Sequence, residues 1–281
     1  MKTKSWLISI VLSLAVGAGG GYFHAKEQSV PATSNASSEQ TVEVTLPELS
    51  RKLVDHFFQI ETTTRSFFAR DVTGRLIPEK RNGKKYYQVD ENVYNFSRSF
   101  NTNKTALIVM DPWEDSGSSF LNDYYEPVIK RKLIPLINKS IKLEIPVIVL
   151  TNSPLESADY SNKVAPEIES LAKQGKLQIV YHQSTDSKRF SEWLRGMGID
   201  TLIYSGFASN MCVIGRDLGM IPMQVKGFRL FFVPEASAAV EFKDSWENGA
   251  LHEATTLLIS QWVGELIKLN DFLSVAENPI N

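Results

Sequence analysis

A single cysteine, Cys212, occurs in 281 residues, so no internal disulfide framework can form. Histidine is nearly as scarce: His24, His56, His182 and His252 show no ligand-like grouping, and neither a metal nor another cofactor is expected. There is no excess of positive charge. The formal net charge is -2, which removes the electrostatic case for a nucleic-acid partner. A phosphate-cradling glycine loop is also missing, because the one glycine-rich stretch, G-A-G-G-G at residues 17–21, belongs to an apolar N-terminal segment. No cysteine ends that segment, so lipid attachment through such a residue is excluded, and no internal repeat is evident.

What is present reads as one globular domain of ordinary size with additions, at 43% hydrophobic and 22% charged residues. Lys2 and Lys4 precede an apolar run over residues 6–23 broken by small residues, the layout of an export signal over 1–26. Its length also approaches the ~20 residues that span a bilayer, so cleaved signal and uncleaved anchor both stand, and either implies an exported, periplasmic or extracellular protein. Membrane contact is expected only through residues 6–23. Residues 27–44 are small and polar and read as a flexible linker. Residues 45–103 read as an N-terminal extension packed on the main domain. Within it the spacing of Leu49, Leu53, Val54, Phe57 and Phe58 predicts an amphipathic helix over 47–60. A basic glycine-containing turn over 80–85 leads to a short strand at Tyr86, Tyr87 and Val89. The sequence assigns this extension no function.

Residues 104–281 alternate buried-strand runs with helical patterns. Strands are expected at 105–110, 146–150, 177–181, 201–204 and 229–233. Helices are expected over 121–143 and 191–197, with a long C-terminal helix carrying Leu251, Leu258, Trp262 and Leu266 on one stripe. This alternation predicts an α/β fold: a doubly wound parallel sheet covered on both faces, a Rossmann-like three-layer arrangement. In the order 3-2-1-4-5 the first and fourth strands flank the reversal. Asp111 ends the first and Cys212 follows the fourth, so both would meet in one crevice.

The stretch around the cysteine is I-Y-S-G-F-A-S-N-M-C-V-I-G-R, residues 203–216: an apolar strand, a glycine break, then a helical pattern. A cysteine near a helix N-terminus favours the nucleophilic thiolate. This segment resembles the nucleophile segment of isochorismatase-like cysteine hydrolases, and N-M-C-V-I-G-R is similar to one branch of them. The likeness covers about residues 104–267. It implies a small-molecule substrate, an amide, imide or related C–N or C–O bond, cleaved through a covalent cysteine intermediate. It also implies that Asp111, in A-L-I-V-M-D-P-W, is the general base. A cis peptide at Phe207-Ala208 follows from the same resemblance, with the Ala208 and Cys212 amides aimed at an oxyanion. Trp113 would wall the pocket, and Phe207 and Asn210 join the substrate-binding set.

The resemblance also implies a lysine at the end of the third strand, where this chain reads I-V-Y-H-Q-S-T-D-S-K-R-F. Three readings stay open: His182 substitutes, Lys188 reaches back from the following helix, or the machinery is incomplete and the chain is a catalytically silent binding or assembly protein. Arg216 is a candidate for an anionic substrate or for a nearby carboxylate. Glu235 stands where relatives often have aspartate. A redox role lacks a second, resolving cysteine. Homo-oligomerisation is left open.

Overall fold

Thr105–Met110 (β5) is buried along its whole length. Such a run suits a central strand with both faces covered. Val147–Thr151 (β6) and Thr201–Phe207 (β8) are equally buried and pair with it in parallel on either side. Gln178–Tyr181 (β7) lies beyond β6, and Arg229–Ala238 (β9) lies beyond β8. Read across, β7-β6-β5-β8-β9 is the expected doubly wound order. The reversal falls between β5 and β8, the point at which such sheets open a crevice.

Two cores follow from the alternation of side chains on the strands. On one face Leu107 and Val109 of β5 pack with Ser119–Val128 (α1), Ile134–Lys142 (α2) and Pro166–Lys173 (α3). On the other, Ala106, Ile108 and Met110 meet Ser187–Gly196 (α4), Met220–Val225 (α5) and the turn Ile259–Val263 that follows Ala250–Leu258 (α6). The helix expected over 121–143 is therefore two helices. A five-residue π-helical turn, Ile129–Leu133, joins them between Pro127 and Pro135. Neither proline can donate to the helical ladder, and a wider turn accommodates the break.

The computed structural model describes Leu46 and residues 55–71, 73, 75–90, 92–153 and 162–277. The export segment read over 1–26 and the linker over 27–44 lie outside them, as do residues 47–54 of the expected helix. Among the described residues no helix is long and apolar enough to cross a membrane.

The remainder of the expected helix over 47–60 is corrected. Phe57–Arg65 (β1) is a strand with Phe58, Ile60 and Thr62 facing inward and Phe57, Gln59 and Glu61 outward. It pairs antiparallel with Val93–Asn101 (β4) over nine positions, and Phe58 stacks on Phe100 at 5.1 Å. Cross-strand pairing outweighs the helical spacing of Phe57 and Phe58. The C-terminal helix also ends early. A π-helical turn, Ile259–Val263, extends α6 only to Gly264, and Leu266 belongs to a strand, Glu265–Ile267 (β10). A Cβ at Gly264 would lie 2.5 Å from the Leu230 carbonyl oxygen, so this approach of β10 to β9 requires glycine.

β10 extends the parallel sheet, and β1 then joins it antiparallel, placing β4 at the edge. Glu265 fastens the junction: Arg98 donates to both its oxygens at 2.9 and 2.7 Å, and Thr62 donates at 2.5 Å. A short final helix, Leu269–Ser274 (α7), packs its Phe272 against Phe58. The basic turn is a hairpin of Pro78–Arg81 (β2) and Lys84–Tyr87 (β3), closed by Asn82 and Gly83 at φ 53° and 73°. Both positive angles are those of the tight turn that suits hairpin twist.

Candidate active site

Asp111 leaves the end of β5 with φ 43°, a left-handed conformation uncommon outside glycine, and its side chain is 2% exposed. Its amide donates to Leu150, and its carbonyl accepts from the Trp113 amide, so the turn is fixed from both sides. Gly206 makes room beside it. At φ 106°, a Cβ there would come within 2.2 Å of the Met110 carbonyl oxygen. Only a glycine lets β8 pass β5 this closely just before the turn that carries Cys212.

The peptide Phe207-Ala208 is cis, and the chain then forms a five-residue π-helical turn, Ser209–Val213, that carries Cys212. The Ala208 carbonyl accepts from the amides of Met211 and Val213 at 3.0 and 3.1 Å. Asn210 uses both ends of its side-chain amide on Val240, donating to its carbonyl and accepting from its N–H. These two bonds tie the turn to the strand exit after β9.

Charge converges on Asp111. His182 Nε2 stands 3.4 Å from Oδ1, and Arg216 Nη1 stands 3.3 Å from Oδ2. Neither carboxylate oxygen and neither imidazole nitrogen completes a directed hydrogen bond, although all four are buried. Their hydrogen-bonding capacity stays open to a molecule in the crevice. Arg216 also donates to Asn152 Oδ1 at 3.2 Å, which ties it to the residue after β6.

The Cys212 thiol is pushed up to about 12, first by burial and then by the negative charge of Asp111. The Arg216 cation and the Ala208 N–H oppose this. The expectation of a thiolate at a helix N-terminus is thus corrected. The segment is one short π-helical turn, too little aligned backbone to offset desolvation and a neighbouring carboxylate.

Lys188 is exposed on the first turn of α4, with its carbonyl accepting from Ser191. His182 and Arg216 are the groups that reach Asp111. Trp113 donates from Nε1 to Thr151 at 2.7 Å and walls a cavity of about 300 Å³ with Glu114, Glu126 and Ile129. Glu235 accepts from the Leu269 amide at the start of α7.

Neither a family model nor a curated protein matches this chain. Several solved structures are similar to it, among them a cysteine hydrolase, a nicotinamidase and an isochorismatase. One from Pseudomonas syringae pv. phaseolicola is 19% identical, with 62% of this chain and 92% of that one covered, at a TM-score of 0.49. A nicotinamidase from Staphylococcus aureus is 17% identical, covering 58% and 97% at a TM-score of 0.45. An isochorismatase from Pseudomonas putida is 19% identical, covering 60% and 90% at a TM-score of 0.45.

Two supporting networks had no sequence signal. Ser209 Oγ meets His252 Nδ1 at 2.8 Å, and His252 Nε2 meets the Pro234 carbonyl at 3.0 Å. A carbonyl only accepts, so Nε2 carries the proton and Ser209 donates to Nδ1. Burial holds His252 below the ordinary imidazole range, which keeps this neutral arrangement. The buried Glu241 accepts from the amides of Leu251 and His252, at the first turn of α6. Beside the turn, Tyr125 packs on Phe207 at 4.4 Å, and Tyr124, Trp246 and Phe120 continue an aromatic wall.

Proposed function

We propose that this protein is a cysteine hydrolase that cleaves a small amide, imide or related bond through a thioester on Cys212. The observation that carries the reading is the buried carboxylate of Asp111 acting on the Cys212 thiol while flanked by Arg216 and His182. A thiol held protonated beside a carboxylate calls for proton transfer in step with attack.

Asp111 takes the thiol proton as sulfur bonds to the carbonyl carbon, and the C=O electron pair moves to oxygen. The amides of Ala208 and Cys212 receive that oxyanion. When the pair returns, the C–N bond breaks, and Asp111 passes its proton to the departing nitrogen. Water then attacks the thioester. Asp111 takes its proton, the C–S bond breaks, and the acid leaves with the thiol restored. Arg216 faces the carboxylate without competing for the proton, since guanidinium stays charged throughout. The aromatic wall from Phe207 to Trp246 suits an apolar, flat acyl group.

The test is a panel of small amides and imides with the intact protein and Cys212→Ala. Turnover by the wild type, loss in the variant, and an acyl adduct on Cys212 seen by mass spectrometry are expected. Absence of turnover and adduct across the panel would favour the silent binding protein, for which the missing strand-end lysine speaks.

The same reading sets the hydrolase outside the cytoplasm, supported by the Lys2 and Lys4 start before the apolar run. A reporter joined after residue 26 should be exported. Its retention in the cytoplasm would remove the claim.

A further inference from the structure

The β2–β3 hairpin is a separate two-stranded sheet whose eight residues are all exposed. Its register sets Lys80 opposite Lys85 and Arg81 opposite Lys84. Like charges directly opposite each other on one face destabilise a strand pair. Two such pairs follow one another along the ladder, on opposite faces, and none of the four cations makes an ion pair among the described residues. The Lys80–Lys85 face holds no acid to relieve its repulsion, so it points to an anion outside the molecule.

Directly opposed residues share a face, so Pro78, Lys80, Lys85 and Tyr87 line one side, without an acid. Tyr87 packs on Phe68 at 6.0 Å, and both rings remain more than 40% exposed. Val89 next to them is 66% exposed and bridges to Phe68. One face of the hairpin therefore combines fixed positive charge with aromatic and aliphatic surface at its base.

We propose that this hairpin docks on the anionic headgroup surface of a lipid bilayer, with its four cations among phosphates and its aromatics at the interface. Basic side chains beside exposed tyrosine and phenylalanine match what that zone rewards: charge attraction to anionic lipid and amphipathic rings at headgroup depth. The charge distribution disfavours a long soluble polyanion. The hairpin carries +3 from four cations and Glu79, which leaves -5 on the rest of a chain whose total is -2. A wrapped polyanion would meet that negative remainder, whereas a plane touching one tip would not.

The experiment is amide hydrogen exchange on the full-length protein with vesicles of phosphatidylcholine alone, or of phosphatidylcholine with phosphatidylglycerol. Exchange over residues 76–89 should slow with the anionic vesicles only, and ~0.5 M salt should reverse the protection. Each surface cation contributes about fivefold to partitioning, so Lys80→Gln with Lys85→Gln should weaken hairpin protection on the order of 20-fold. Tyr87→Ser, with both cations kept, should weaken it as well. Equal exchange with both vesicle types would overturn the proposal. So would protection by single-stranded DNA without vesicles that matches the anionic lipid, since the partner would then be a soluble polyanion.

Discussion

Asp111→Asn should lower hydrolysis by on the order of 10²- to 10⁴-fold, the usual worth of a general base, while making Cys212 easier to alkylate. The opposite signs follow from one interaction. The Asp111 charge helps to push the thiol up to about 12, and an amide of the same shape removes that contribution while Arg216 still pulls the other way. Burial, the larger cause, remains, so the thiol falls toward its ordinary range without reaching it. Iodoacetamide labelling followed against pH should therefore show the rise in reactivity beginning at lower pH in the variant, with faster labelling near neutrality. If labelling slows together with hydrolysis, the carboxylate is not what keeps the thiol protonated, and the order of proton transfer proposed above is wrong.

Arg216→Met should cost both stability and activity. It removes the permanent cation 3.3 Å from a carboxylate that is 2% exposed. Breaking a fully buried pair typically costs 3–5 kcal/mol. Arg216 is 28% exposed and His182 stays at 3.4 Å, so about 2–3 kcal/mol is the better expectation. For a domain of this size that is a fall in Tm of roughly 5–10 °C by calorimetry. Arg216→Lys should recover more of the stability than of the rate, because an ammonium restores charge without the rigid planar guanidinium that holds Nη1 between Asp111 and Asn152. An Arg216→Met protein with unchanged Tm and turnover would show that Asp111 is compensated by other groups.

The five core strands and their order were legible because strands covered on both faces leave unbroken apolar runs, as in β5, β6 and β8. The convergence of Asp111 and Cys212 followed from that order alone. What could not be read were decisions made between distant segments. Phe57 and Phe58 fit a helical stripe as well as a strand, and only β4 decides between them. Leu266 continues the stripe of α6, yet Gly264 ends the helix because β10 must come against Leu230. Arg216 was visible one helical turn after Cys212, but nothing in the chain near it names Asp111, more than a hundred residues earlier, as its partner. Ser209, His252 and Glu241 lie still further from any local pattern.

The junction of β1 with β10 sets a timetable for synthesis. Thr62 pairs with Ile267, 205 positions later, and no other described strand offers β1 its second edge. At 5–20 residues per second a ribosome needs roughly 10–40 s to supply that partner. Until then β1 and β4 have only each other, and a two-stranded ribbon is marginal by itself. Arg98 and Thr62 likewise wait for Glu265. The β1–β4 ribbon thus keeps one edge open until nearly the whole chain has been made.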